Sequence, residues 1–349
     1  MTAAKKPGMF ARKAVSVSEE GLIKTESLPT GEVIPLVVRP AVDRLSLVDW
    51  ATNNRELLET MLLKHRALLF RDFNFSSVAE FEQFVKASSG ELLEYRERSS
   101  PRSPVSGNVY TSTDYPADQT IFLHNEGTYW LTWPLKIFFC CVTAAEQGGE
   151  TPIADCRNIF NRIDPKIRER FIEKQVMYVR NYGDGFGLSW QNAFQTTDQA
   201  DVDAYCRKNV IETEWKPGNR LRTRQIRPAV RQHPTTGEMI WFNHATFFHV
   251  STLAPEIAKA LMAEFGEQDL PNNTYYGDGS PIEPSVLDEL REIYRQETIA
   301  FPWQEGDVLM LDNMSVAHGR APFVGQRKVV VGMSEPYSAT LGANGRADA

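Results

Sequence analysis

The sequence predicts a mixed α/β, mainly β domain: a double-stranded β-helix, or jelly-roll barrel, with flanking and inserted helices. Three observations carry that prediction. Short β-rich runs occur both early and late in the chain, helical periodicities lie before and between them, and no linker, internal repeat or low-complexity tract calls for a second domain. A chain of 349 residues with 42% hydrophobic content can bury a core of that size as one large unit.

Taken in order, residues 1–35 are rich in Lys, Ser, Thr and Gly without a clear period, and are expected to form a flexible arm. The domain is expected to span 36–337, with order beginning near Ile34-Pro35-Leu36-Val37-Val38. Leu57, Leu58, Met61 and Leu62 recur at helical spacing, Ala67 to Arg71 reads as a buried strand, and Val78, Phe81, Phe84 and Val85 mark a second amphipathic helix. From about Pro101 to Ala145 the pattern changes to β-rich runs, 108–113, 120–124 and 135–143, separated by Pro, Gly and Asp clusters.

Residues of about 156–215 return to helical periodicity, through Ile163, Ile167, Phe171 and Ile172 and again from Val202 to Cys206, and are read as a helical insertion between sheet strands. Pro234-Thr235-Thr236-Gly237, between apolar runs, is a hairpin turn signal. Two helices follow, marked by Ile257, Leu261 and Phe265 and by Val286, Leu290 and Ile293. Gly306-Asp307 then turns into the strand Val308 to Leu311, residues 327–333 supply a last β-branched strand, and 338–349 form a flexible Gly/Ala-rich tail.

The formal charge of −7 argues against a broad nucleic-acid footprint, which needs clustered basic surface. No run approaches the roughly 18 apolar residues that span a bilayer, and the opening MTAAKKPGMFARKAV lacks the apolar core of a secretion signal, so a cytoplasmic location without membrane association is expected. Cys140, Cys141, Cys156 and Cys206 form no C-x-x-C pair. Adjacent Cys140 and Cys141 point to opposite faces of a strand, and all four read as reduced, mostly buried thiols.

The stretch around which the chain is organised is His124-Asn125-Glu126-Gly127, at the end of the apolar run Ile121-Phe122-Leu123. A His-x-acid match alone is weak, because six histidines and 45 acidic residues among 349 positions produce about one by chance. Its weight comes from a second histidine, His318, far downstream beside another strand. Two imidazoles and one carboxylate can occupy one face of an octahedral ion and leave the opposite positions open for substrate and oxygen, which is the non-haem Fe(II) pattern. Glu126 falls two residues after His124, on one face of an extended segment, and Gly127 relieves crowding beside the ion. Gly148-Gly149-Glu150-Thr151-Pro152 is a turn that presents a hydroxyl donor. Arg327, at the floor of an apolar barrel, needs an anion, and a cofactor carboxylate matches its planar fork.

From about Leu36 to Tyr337 the chain resembles the Fe(II)/2-oxoglutarate dioxygenases of the taurine dioxygenase (TauD/TfdA) family, and within it the branch related to the syringomycin-pathway aspartyl hydroxylase. The motifs that carry the resemblance are His124-x-Glu126, Gly148-Gly149-Glu150-Thr151, Trp303 with Gly306-Asp307, Asp312-Asn313, and His318-Gly319-Arg320-x-x-Phe323 with Arg327. The resemblance implies His124, Glu126 and His318 as catalytic iron ligands, and Thr151 and Arg327 on the distal carboxylate of 2-oxoglutarate. It departs from the commonest pattern at Glu126, where most members have Asp but the clavaminate synthase branch also has Glu, and at Val331, where several members have a second Arg.

The resemblance further implies oxidative decarboxylation of 2-oxoglutarate to succinate with O2 as co-substrate. Hydrogen abstraction from an aliphatic C–H bond and return of hydroxyl follow, on an amino-acid-like substrate of secondary metabolism, free or presented by a peptidyl carrier protein. Desaturation and cyclisation share the abstraction step, so the sequence leaves them open. Glu126 argues against halogenation, since related halogenases vacate that iron position with Gly or Ala. Two readings of other classes stand beside this one: a jelly-roll binding protein without turnover, and a cupin-like Mn or Zn enzyme, the latter opposed by the Arg327 and Thr151 clamp.

Several residues carry blander expectations. His244 and His249 lack a carboxylate two residues on and are read as hydrogen-bonded core or cleft histidines. Arg220, Arg222 and Arg224 share one face of an extended segment, either as a solvated strand face or as contacts to an anionic substrate such as a phosphopantetheine phosphate; Arg98, Ser99, Ser100 and Arg102 could act similarly. The run Tyr182 to Gly187 lacks a P-loop context and is read as a lid or plain loop.

Overall fold

A computed structural model describes residues 19–29, 31–73, 75, 77–94, 97–98, 103–112, 115–183 and 187–339. Its largest element is an eight-stranded sheet, in the spatial order Ile23–Glu26, Leu36–Pro40, Ala67–Phe70, Val308–Asp312, Thr132–Thr143, Lys328–Ser338, Val109–Thr111 and Pro104–Ser106. The pairs are antiparallel except Leu36–Pro40 with Ala67–Phe70, which run parallel. A parallel pair needs a long crossover. Helices Leu47–Asn53 and Arg55–His65 supply it.

Period-2 alternation decides what each face of this sheet meets. Phe138, Cys140, Met310 and Val330 point to the side where Trp50, Leu58, Phe81 and Phe84 of the entry helices pack. Ile137, Phe139, Cys141, Leu309, Leu311, Val329, Val331 and Met333 point to the other, where they share a core with Ile153 and Val316 of a second, three-stranded sheet. Adjacent Cys140 and Cys141 thus lie in different cores, and all four cysteines are buried free thiols. The second sheet has Val316–Arg320 in the middle, flanked by Ile121–His124 and Ile153–Asp155. These two sheets share one core within a sheet-rich mixed α/β architecture. Among the described residues no ladder joins them into a closed barrel.

The stretch expected as a helical insertion is only partly helical. Helices Cys156–Arg162, Pro165–Lys174, Trp190–Phe194 and Gln199–Lys208 are present, but so is the strand Val176–Tyr182, whose side chains alternate strictly between buried and half-buried. It is central to a four-stranded sheet with Arg220–Arg227, Glu212–Lys216 and Asn272–Tyr276. Seven alternating residues between helices are easily masked by the flanking helical period.

Nor is the arm free of structure over its whole expected length. Ile23–Glu26 pairs with Leu36–Pro40 at the edge of the large sheet, while residues 1–18 lie outside the described ones. The last strand reaches Ser338, and 340–349, most of the expected tail, also lie outside. The expected hairpin forms from Val230–Gln232 and Met239–Trp241. No helix among the described residues is long and apolar enough to cross a membrane.

Candidate metal centre

His124 is the last residue of the strand Ile121–His124, and His318 is its partner directly across the antiparallel pair with Val316–Arg320. The ladder shifts register just beyond this pair, between His318 and Arg320. Such a bulge re-aims side chains. Gly319 sits at the irregularity, where a Cβ would lie 2.6 Å from the Ile121 carbonyl oxygen. The two imidazoles stand 4.6 Å apart between ring centroids, and one ligand atom each from His124, Glu126 and His318 lies within 4.8 Å of the others, all three residues being buried.

Two of the three donors, His124 and Glu126, are oriented by what holds them. The His124 Nδ1–H donates to the Phe122 carbonyl at 2.9 Å, which leaves Nε2 with its lone pair for a metal. Phe247 stacks on the same ring, with centroids 4.1 Å apart and planes 10° from parallel. Glu126 belongs to the turn after the strand rather than to its extension. Asn313 holds that turn as a strand neighbour would: its Oδ1 accepts the Glu126 N–H at 2.8 Å and its Nδ2 donates to the Glu126 carbonyl at 2.9 Å. The Asn125 amide returns the contact by donating to the Asn313 carbonyl at 2.7 Å.

Asp312 Oδ1 accepts the backbone N–H groups of Met314 and Ser315 at 3.0 and 2.9 Å, and its Oδ2 meets His233 Nε2 at 2.9 Å. The turn carrying Asn313 is therefore itself braced. Gly127 is required by its φ of +72° and by Trp130, whose Cε3 would be 2.3 Å from an added Cβ. The crowding it relieves is that of the indole, not of an ion.

The donors fit a divalent first-row cation with positions left open: two imidazoles and one carboxylate gathered on one side, on strands and a hydrogen-bonded turn. Beside them runs a cleft lined by His124, His318, Ser112, Thr151, Arg320 and Arg327, with Ile121, Phe139 and Val331 as apolar walls. Arg327 donates from Nε to the Gly149 carbonyl at 2.7 Å, from Nη1 to Ser112 Oγ at 3.3 Å and from Nη2 to Thr151 Oγ1 at 3.4 Å. Two of its five N–H groups are left for a ligand. Burial, and secondarily the neighbouring Arg320 charge, push its pKa down to about 10, so it remains a cation at neutral pH. Arg320 donates three of its five N–H groups to the Tyr115, Pro116 and Gln119 carbonyls at 2.9, 2.5 and 2.8 Å.

All five sequence candidates, His124, Glu126, His318, Thr151 and Arg327, thus converge. The others take structural places. His244 Nε2 donates to the Asn125 carbonyl at 2.6 Å, and burial holds its pKa well below the usual histidine value. His249 Nδ1 accepts the Ser251 N–H at 3.2 Å at the start of a short 3-10 helix. Arg222 is tied to Asp269 at 2.7 Å and Glu214 at 3.3 Å, and Arg224 to Glu214 at 3.1 Å, so that face carries its own counter-ions. Arg98 lies over the Tyr110 ring at 5.7 Å, whereas Ser99, Ser100 and Arg102, and Asp184 to Phe186 of the expected lid, lie outside the described residues. Sequence reasoning missed the roles of Asn313, Phe247 and the Trp303 contact with Thr151. Asn313 was visible only as part of a motif, without its partner.

The model of the taurine catabolism dioxygenase TauD, TfdA family matches residues 32–333. The chain belongs to that family. As a TauD/TfdA member it is a 2-oxoglutarate-dependent non-haem iron dioxygenase, with Fe(II), 2-oxoglutarate and O2 as cofactors and co-substrates. It is 41% identical over 310 residues to the dapdiamide synthesis protein DdaC of Enterobacter agglomerans, covering 86% of this chain and 94% of that one. It is 28% identical over 319 residues to a clavaminate synthase-like protein of Arabidopsis thaliana, covering 87% and 91%. Among solved structures, PvcB, described as an Fe, alpha-ketoglutarate dependent oxygenase from an isonitrile synthetic pathway, superposes with a TM-score of 0.55 at 16% identity, covering 94% of each chain. That likeness is one of fold. Membership of the TauD/TfdA family sets aside the cupin-like and non-catalytic readings.

Proposed function

We propose that this dioxygenase hydroxylates an unactivated C–H bond of an amino-acid-like substrate in secondary metabolism, the substrate being free or tethered to a carrier protein. The observation that carries the chemistry is the shared cleft, in which Arg327 and Thr151 stand beside the cluster of His124, Glu126 and His318. Support for a place in secondary metabolism comes from the 41% identity to a dapdiamide synthesis protein. We read the two sheets that share a core as the halves of a jelly roll whose mouth holds the cluster, within one domain of about 36–337.

In this reading His124, Glu126 and His318 hold Fe(II), which supplies the site for O2 activation coupled to oxidative decarboxylation of the oxoacid. Arg327 and the Thr151 hydroxyl hold the distal carboxylate, the two unused guanidinium N–H groups forming a fork against it. Ile121, Phe139 and Val331 keep water from the oxoacid chain. Glu126 keeps a carboxylate at the iron position that a halide would otherwise need. Phe247 fixes the plane of the His124 ring and walls one side of the centre.

Anaerobic Fe(II) titration with 2-oxoglutarate tests the site. A weak charge-transfer band in the wild-type protein that weakens in Arg327→Ala and Glu126→Ala is expected; bound iron with no band would overturn the assignment. Substrate class is tested by succinate release with amino acids and aminoacyl carrier proteins. Stimulation by neither, against a measurable uncoupled rate, would overturn that part of the reading.

A further inference from the structure

Thr151 Oγ1 is met by two groups that can only donate. The indole Nε1–H of Trp303 reaches it at 3.1 Å and Arg327 Nη2 at 3.4 Å. A hydroxyl has two lone pairs and one hydrogen. With both lone pairs engaged, the hydrogen has to leave in the remaining direction, away from the indole and the guanidinium. The residue is buried and lines the cleft.

We infer that Trp303 is a positioning residue for the oxoacid pocket: by occupying a lone pair of Thr151 Oγ1 it fixes that hydroxyl as a donor toward the bound carboxylate. The inference rests on the assignment of Thr151 and Arg327 to the oxoacid. Without the indole N–H, the threonine hydroxyl is no longer held in one rotation about its C–O bond, and the carboxylate then loses a preset donor. Trp303 is well placed to hold this setting. Arg71 Nη2 donates to the Pro302 carbonyl at 2.9 Å while its Nε and Nη2 grip Asp307 at 2.9 and 2.6 Å. Phe301 packs edge-on against the indole, with ring centroids 6.0 Å apart.

The test is calorimetric titration of the Zn(II)-loaded protein with 2-oxoglutarate in a double-mutant cycle. Trp303→Phe, which keeps an aromatic ring and deletes the donor, is expected to weaken binding about 3- to 10-fold with Zn(II) affinity unchanged. Thr151→Val is expected to weaken it similarly, and the double variant no further than Thr151→Val alone, because the indole acts only through that hydroxyl. Wild-type affinity in Trp303→Phe, or losses that multiply in the double variant, would overturn the inference. Unchanged binding in both Thr151→Val and Arg327→Ala would instead overturn the pocket assignment beneath it.

If Trp303→Phe does not fold, indole-labelled NMR of the otherwise native protein decides. One indole N–H resonance should move in Thr151→Val and move again in the wild type on adding 2-oxoglutarate, as the polarised hydroxyl strengthens its bonds. Resonances indifferent to both changes contradict the inference.

Discussion

Asn313 grips Glu126 by both ends of one peptide unit's worth of backbone, accepting its N–H at 2.8 Å and donating to its carbonyl at 2.9 Å. The same Nδ2 also donates to the Pro134 carbonyl at 2.8 Å, so one amide links the turn of the metal cluster to the long strand of the large sheet. Replacing Asn313 by Ala leaves these buried backbone groups unpaired, and a loss of about 2–4 kcal/mol of stability is expected. Because the Glu126 carboxylate then loses its setting, metal affinity should fall about 10-fold or more. Denaturant unfolding and Zn(II) titration measure the two effects separately, and unchanged metal affinity would show that Glu126 is positioned by other means.

Gly127 offers a sharper perturbation of the same turn. In Gly127→Ala the new methyl would need space now filled by Trp130 and a positive φ that alanine resists. A stability loss of about 2–4 kcal/mol is expected, with metal binding weakened as Glu126 is displaced. A fully stable Gly127→Ala protein that binds metal normally would mean that Trp130 moves aside freely.

At the opposite end of the cleft, Arg327→Ala removes the cation and the fork together. The Kd for 2-oxoglutarate should rise about 10- to 100-fold, the range for charge-assisted hydrogen bonds, with little change in metal binding. Arg327→Lys should recover only part of this, since an ammonium cannot keep the Gly149, Ser112 and Thr151 contacts while presenting a fork. Equal affinity in Arg327→Lys and wild type would argue for charge alone.

His249 predicts a pH dependence of stability. Burial, and then the nearby Arg291 charge, lower its pKa to about 4 from an unfolded value of 6.5. Above pH 6.5 the imidazole is neutral in both states. Between 6.5 and 4 the unfolded chain takes up a proton that the folded one refuses, so stability is lost as pH falls through that window. Protonation would also take the Nδ1 lone pair from the Ser251 N–H. His249→Asn keeps an acceptor without titrating there, and should lose less stability than wild type between pH 7 and pH 5 in parallel denaturant titrations. Identical losses would exclude His249 as a contributor.

The five residues proposed to hold the metal and the oxoacid were legible as candidates because their chemistry is local in the sequence. His124-x-Glu126 ends an apolar run, His318 sits in a strand, and Arg327 is a cation beside β-branched neighbours. Alternation likewise placed the adjacent Cys140 and Cys141 on opposite faces of one strand, and they do lie in different cores. The strand Val176–Tyr182 was not separated from its helical neighbours, because a short period-2 signal between two longer 3.6-period signals does not stand out.

What the sequence by itself determined is which donors exist and which faces of strands are apolar, since both follow from residue type and period. Only the tertiary structure decided that His318 lies opposite His124, that Asn313 closes on Glu126, that Trp303 meets Thr151 and that Arg222 is already paired with its own acids. Those facts depend on ladder register and on turns meeting across the chain. Register arises from the packing of two whole sheet faces, and no local pattern encodes it.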